Sequence, residues 1–360
     1  MKNSTLGLLL NLGESFTTLG GQAELMLRQN ILPYSNSFSR VYVFTYTKEN
    51  LTLPPNCHLI TPPFPLHRFV YALLLPLIHR RIIHQCQLLR CFQLAGTLPA
   101  IIAKLLYGTK FVFNYGYDYV AFARIEAKPL QAQLFSWLTP ITVRFATGII
   151  AKNKSLLPAT RHAPRAIYLP NGVDTKLFKP KPKRFSKVPT VLYVGRLEPQ
   201  KNLTTLLTAL VEVKRKLKVI FIGQGSQRQK LFNLASKLNL NLLIKPPVIH
   251  SQLPKIYRSA DIFVLPSLIE GSPKVLLEAM ACGLPIVATA VPGIKEILTR
   301  RTGILVSPTI TGLTQGLTQV LTQPNLARRL SQAARRQVTK HYNQDTIIAS
   351  EIKFLQSCAH

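Results

Sequence analysis

Residues 260–290 read ADIFVLPSLIEGSPKVLLEAMACGLPIVATA, and this stretch decides the fold. It holds two short apolar runs of strand type, 262–265 and 286–289. Between them Ser272 is a good N-cap, Pro273 suits the first helical position, and Gly283 with Pro285 beyond it ends the helix. A strand, a capped helix and a second strand form the repeating unit of a parallel sheet.

The same alternation runs outward in both directions. Toward the C-terminal half the strand-type runs are 191–194, 219–222, 242–244, 262–265, 286–289 and 304–306, most of them separated by helical stretches. Toward the N-terminus they are 6–10, 41–45, 88–92, 111–115 and 149–151. The expectation is an α/β chain of two doubly wound domains, 1–168 and 169–340, with a terminal helix in 341–360. The turn Leu169-Pro170-Asn171-Gly172-Val173-Asp174 and the Pro/Lys run 179–184 mark the hinge, because neither continues a sheet.

Composition agrees with two ordinary domains. The chain has 360 residues, 47% of them apolar and 16% charged, enough to bury two cores and too apolar for a disordered regulator. The net charge of +31 is spread over both halves, +12 in residues 1–170 and +19 in 171–360, and calls for a polyanionic or phosphate-bearing partner. Five scattered cysteines without a C-x-x-C pair encode neither a disulfide framework nor a zinc site, which points to a reducing cytoplasm. Neither residues 1–10 nor the apolar run 69–78 reads as a signal peptide or a membrane span.

Parallel sheets bind ligands beyond the carboxyl ends of their strands. Gly195 and Arg196 follow the first C-terminal strand, with Lys201 shortly after. Gly223 and Gly225 follow the second. Glu270, Gly271, Ser272, Pro273, Lys274 and Val275 follow the fourth, and Glu278 lies about a turn into the next helix. A helix N-terminus beside two cations suits a phosphate or diphosphate, since its amides and its dipole both favour negative charge. Carboxylates beside such a site serve best as acceptors for ribose and sugar hydroxyls. The implied ligand is a nucleoside diphosphate joined to a sugar.

EGSPKVLLEA (270–279) resembles the E-x7-E element of retaining glycosyltransferases of GT-B architecture, specifically family 4. VGRLEPQKN (194–202) and LPNGVD (169–174) are similar to two further elements of that family, as are IGQG (222–225) and ADIFVLPS (260–267). The resemblance implies two Rossmann-like domains facing across a cleft and a metal-independent enzyme without a cofactor, with a nucleotide-diphosphate sugar as co-substrate. The donor would be UDP- or GDP-linked, and the acceptor a glycan or a lipid-linked acceptor in cell-surface polysaccharide or glycolipid synthesis. It assigns Arg196 and Lys201 to the charge on the departing diphosphate, Glu270 to the sugar and Glu278 to the ribose. Gly20 and Gly21 resemble the family's glycine-rich loop after the first strand. Tyr115 stands where relatives carry a histidine close to the transferred sugar, and it reads equally as a packing aromatic. The terminal helix is expected to cross back onto the first domain.

Other readings compete. A nucleic-acid-binding protein rests on charge alone, without a recognisable motif. A catalytically silent sugar-nucleotide binder is prompted by Tyr115. His67, His79 and His84, with Arg68, Arg80 and Arg81, surround the run 69–78. That run reads as a core helix with a basic exposed face, or as an interfacial helix resting on an anionic membrane surface, the inner face of the plasma membrane.

Overall fold

The computed structural model describes residues 4–19, 23–181 and 186–360, so the expectation for Gly20 and Gly21 lies outside the described residues. The chain forms two compact units: Met1–Val120, Pro129–Pro170 and Ile347–His360 make the first, Ala121–Lys128 and Asn171–Thr346 the second.

The first unit is built on seven parallel strands: β1 (Thr5–Leu9), β2 (Arg40–Phe44), β3 (Cys57–Ile60), β4 (Leu88–Cys91), β5 (Phe111–Tyr115), β6 (Gly148–Ala151) and β7 (Ala166–Tyr168). Their order is β3-β2-β1-β4-β5-β6-β7, a doubly wound sheet that reverses direction between β1 and β4. Successive side chains alternate between two cores. Leu9, Phe44, Phe111 and Phe113 face Tyr71, Leu75 and Ala100 on one side. Leu6, Leu8, Val41 and Val43 face Tyr34, Phe38 and the terminal-helix residues Ile347, Ile348 and Leu355 on the other.

That terminal helix, Gln344–Ala359, is fastened to the sheet by charge as well as by packing. Glu351 accepts hydrogen bonds from Arg90 Nε at 3.0 Å and Tyr34 at 2.7 Å, and Lys152 Nζ lies 3.7 Å away. Burial alone would raise the Glu351 carboxyl, yet Arg90 and Lys152 outweigh it and hold it down at about 2.

The second unit carries six parallel strands: β8 (Thr190–Val194), β9 (Lys218–Ile222), β10 (Leu242–Lys245), β11 (Ile262–Leu265), β12 (Ile286–Thr289) and β13 (Ile304–Val306). The order is β10-β9-β8-β11-β12-β13, with its reversal between β8 and β11. Helices on both faces close a core that includes Leu206, Phe221, Tyr257, Leu276 and Leu317.

Several details differ from the sequence reading. Strands β3 and β7 were not anticipated; both are short, half-exposed sheet edges, β3 interrupted by His58 and β7 only three residues long. Residues Ala121–Lys128 cluster with the second unit, because Glu126 accepts from Gln200 and Phe122 lies under Arg196. The helix expected from Ser272 runs Lys274–Ala281, with Pro273 in an extended conformation at its cap. Ser272 does not cap it, since the Ser272 Oγ instead accepts from the Asn171 amide at 3.0 Å. The helix Arg68–Ile78 does not present a basic face to water: Phe69, Val70, Leu73, Leu74 and Leu77 face outward.

Candidate functional site

The carboxyl ends of β8, β9, β11 and β12 form one rim of the second sheet, and the loops that leave them are fastened to one another. The Gly195 amide donates to Ile222 O at 3.0 Å, Leu197 N to Gln224 O at 2.8 Å, and Gln227 N to Leu197 O at 2.9 Å. So close is this approach that a Cβ on Gly223, whose φ is +154°, would strike the Gly195 carbonyl oxygen. Gly225 lies in the same way against the Leu197 carbonyl. These glycines are needed for loop packing whatever else they do.

Lys201 ends a short turn, Pro199–Lys201, and its Nζ lies 2.5 Å from Glu270 Oε1. Both side chains are nearly buried, 12% and 10% exposed, and Ser267 Oγ also donates to Glu270 at 2.7 Å. The Leu268 amide donates to Gln200 O at 2.8 Å, which ties the β8 loop to the β11 loop beside this pair. On the other side of Glu270 and Gly271, their carbonyl oxygens sit against Gly293, where a Cβ would collide with both. Lys274 and Val275 open the following helix from this point.

Arg196 is held more loosely. Its side chain is 57% exposed, with its guanidinium 3.8 Å from Glu126 and over the Phe122 ring. Glu126 also accepts from Gln200 Nε2 at 3.0 Å, so Arg196 and Lys201 flank one short loop. Gln200 is fully buried, and among the described residues its Oε1 has no hydrogen-bond partner.

Glu278 is placed differently from its expected partners. It is 4% exposed, with Oε1 3.0 Å from His250 Nε2 and Oε2 accepting from Tyr257 at 2.8 Å. Burial, and then the Glu278 charge, raises the Tyr257 hydroxyl well above its ordinary value, so it stays a donor. A hydroxyl of a ligand would have to share a carboxylate that already has two donors, which its four lone-pair positions allow.

The structure therefore joins Lys201, Glu270 and the start of the Lys274–Ala281 helix directly, brings Arg196 near them through Glu126 and Gln200, and sets Glu278 inward. In the first unit, Tyr115 is 6% exposed and stacked on Tyr119 at 6.0 Å, and burial pushes its hydroxyl up to about 12. Packing is its visible role. Glu126, Gln200, His250, Tyr257 and Gly293 were missed in the sequence. Of these only Gly293 carried a local signal, in the Val-Pro-Gly turn directly after the strand 286–289. A cavity of about 1000 Å³ lined by Arg258, Asp261, Cys282 and Arg328 lies at the opposite, amino end of these strands.

Residues 174–337, which contain the whole rim from Gly195 to Gly293, match the family described as "Glycosyl transferases group 1". Over 212 residues the chain is 29% identical to the GDP-mannose-dependent alpha-(1-6)-phosphatidylinositol monomannoside mannosyltransferase of Mycobacterium tuberculosis, a match covering 52% of this chain and 55% of that one. The chain thus spans about half the length of that curated relative. Sucrose-phosphate synthase from Thermosynechococcus elongatus superposes with a TM-score of 0.84 over 98% of both chains at 20% identity. Anabaena HepE in complex with UDP and glucose superposes with a TM-score of 0.80 over 98% of this chain and 100% of that one, at 19% identity. At such identities the likeness is one of fold. The chain has the two Rossmann-like domains of the GT-B fold, and its second unit matches the group 1 glycosyltransferases.

Proposed function

We propose that the protein is a retaining, family 4 glycosyltransferase that moves a sugar from a UDP- or GDP-linked donor to a glycan or lipid-linked acceptor. The observation that carries this reading is the Lys201–Glu270 contact of 2.5 Å at the start of the Lys274–Ala281 helix, with Arg196 close by. A cation, a carboxylate and a helix N-terminus at one point suit a diphosphate on one side and sugar hydroxyls on the other. The names of the relatives support the donor class: one is GDP-mannose-dependent, and HepE was solved with UDP and glucose.

In the proposed reaction the bond between the anomeric carbon and the diphosphate oxygen breaks, and both electrons leave with the diphosphate. The acceptor hydroxyl forms its bond on the same face and its proton passes to the departing phosphate. Arg196 and Lys201 stabilise the charge that builds there, the work a divalent cation does in other transferases. Glu270 accepts from sugar hydroxyls and keeps Lys201 in place. In the first unit, Asn11 and Tyr46 follow β1 and β2, and Asn11 Oδ1 and the Tyr46 hydroxyl are buried without a hydrogen-bond partner among the described residues. They suit hydroxyls of the acceptor.

The test is a thermal-shift screen of nucleoside diphosphates and their sugars, followed by turnover assays on the donors that bind. One donor class should stabilise the protein, by about 2.7 kcal/mol at a hundred times its dissociation constant. Stabilisation by none of them would overturn the proposal.

A further inference from the structure

Three helices of the first unit, Arg68–Ile78, Leu98–Tyr107 and Pro129–Phe145, lie side by side over one face of its sheet. Each buries one side, through Tyr71 and Leu75, Ala100 and Ala103, and Val143. The outward sides should then be polar, as on an ordinary water-facing helix. They carry many large apolar side chains instead. Leu130, Leu134, Trp137 and Ile141 recur at helical spacing and are 82%, 56%, 69% and 44% exposed. On the neighbouring helices Leu105, Leu106, Leu73 and Leu77 are 64%, 51%, 48% and 53% exposed. Single exposed apolar residues are ordinary, but a face shared by three adjacent helices marks a contact surface.

Charge selects the partner. No Asp or Glu occurs between Glu49 and Asp118 or between Glu126 and Asp174, so none of these helices carries an acidic side chain. Arg68, Arg80, Arg81 and Arg144, all exposed, stand at the helix ends. A second copy would bring one +31 chain against another and be repelled. An anionic lipid surface offers hydrocarbon for the apolar face and negative headgroups for the arginines. Among the described residues no helix is long and apolar enough to cross a membrane, so the contact is one of lying on the surface.

We propose that the outer face of these three helices docks on an anionic bilayer, with Leu130, Leu134, Trp137 and Ile141 entering the headgroup boundary. The proposal extends the surface beyond the 67–84 region and is independent of sugar transfer. Trp137 is the only tryptophan of the chain, so its emission reports on this face alone. The full-length chain is mixed with vesicles of pure phosphatidylcholine or of an equimolar mixture of phosphatidylcholine and phosphatidylglycerol, and cosedimentation and emission are recorded. Binding and a blue shift are expected with the anionic vesicles, both reduced by high salt. The combined variant Leu130→Gln, Leu134→Gln, Ile141→Gln keeps the reporter and should bind roughly a hundredfold more weakly at an unchanged melting temperature. Absence of a blue shift in the wild type would overturn the proposal. So would undiminished binding by the variant, or a concentration-dependent dimer in gel filtration that the variant abolishes.

Discussion

Replacing Lys201 by Met removes a cation while keeping most of its stem, and the structure predicts two separable losses. Among the described residues Glu270 would keep only the Ser267 hydroxyl as a donor, at 2.7 Å, in a position where its side chain is 10% exposed. Breaking a fully buried ion pair costs about 3–5 kcal/mol, and at this rim, where water can reach the freed carboxylate, about 2–3 kcal/mol is expected. For a unit of this size that is a fall in Tm of roughly 5–10 °C. Loss of a charge-stabilising group at the leaving diphosphate should lower kcat by about 3 kcal/mol, on the order of a hundredfold. The double variant Lys201→Met, Glu270→Gln separates the two, because the introduced amide leaves no uncompensated charge and can still accept from Ser267. Scanning calorimetry should show most of the stability restored, while the turnover assay stays low. If activity returned together with stability, Lys201 would be a packing residue and the assignment of its charge to the reaction would be wrong.

Three other perturbations test different parts of the molecule. Glu278→Gln keeps the shape of the side chain but leaves a neutral acceptor, and should weaken nucleoside diphosphate binding about tenfold, the size of one hydrogen bond to a charged group; an unchanged calorimetric affinity would refute a role for Glu278 in the donor site. Gly223→Ala forces a Cβ against the Gly195 carbonyl and should cost more than about 2 kcal/mol in thermal unfolding, so a neutral result would mean that the two loops separate easily. Glu351 has a folded-state pKa below its ordinary 4.5, at about 2, so its stabilisation is present above about pH 4.5 and is lost as pH falls toward about 2. Glu351→Gln should therefore flatten the acid limb of the stability profile in that window, and an unchanged limb would show that the Arg90 pair is not what acid breaks.

Much of the second sheet was legible because strands buried on both faces must be continuously apolar. Thr190–Val194, Ile262–Leu265 and Ile286–Thr289 are buried along their whole length and show themselves as short runs between turn residues. The edge strands Cys57–Ile60 and Ala166–Tyr168 could not be read in the same way, since both are short and half of each meets water. The rim glycines and cations were visible from their positions after strands. The partners of Glu278 were not: His250 and Tyr257 lie 28 and 21 residues away on another loop and helix, with no spacing rule to connect them. Ser272 misled for a related reason. Its cap chemistry is sound locally, but the Asn171 amide, 101 residues distant, takes the hydroxyl first.

The meeting of Lys201 and Glu270 has a topological cause that a linear reading reaches only in part. The chain leaves β8 toward β9 on one side, then returns across the sheet to lay β11 on the other, so β8 and β11 become neighbours at the reversal point. Loops leaving adjacent strands at such a point diverge in direction and open a crevice between them. Lys201 hangs on the first of these loops and Glu270 on the second, 69 residues later, and their side chains touch at the reversal point. The first sheet repeats the arrangement, with its reversal between β1 and β4 and Asn11 directly beyond β1. Among the described residues, each unit thus holds a buried side-chain oxygen without a hydrogen-bond partner on a loop that leaves a strand at its reversal point, Gln200 Oε1 in one and Asn11 Oδ1 in the other.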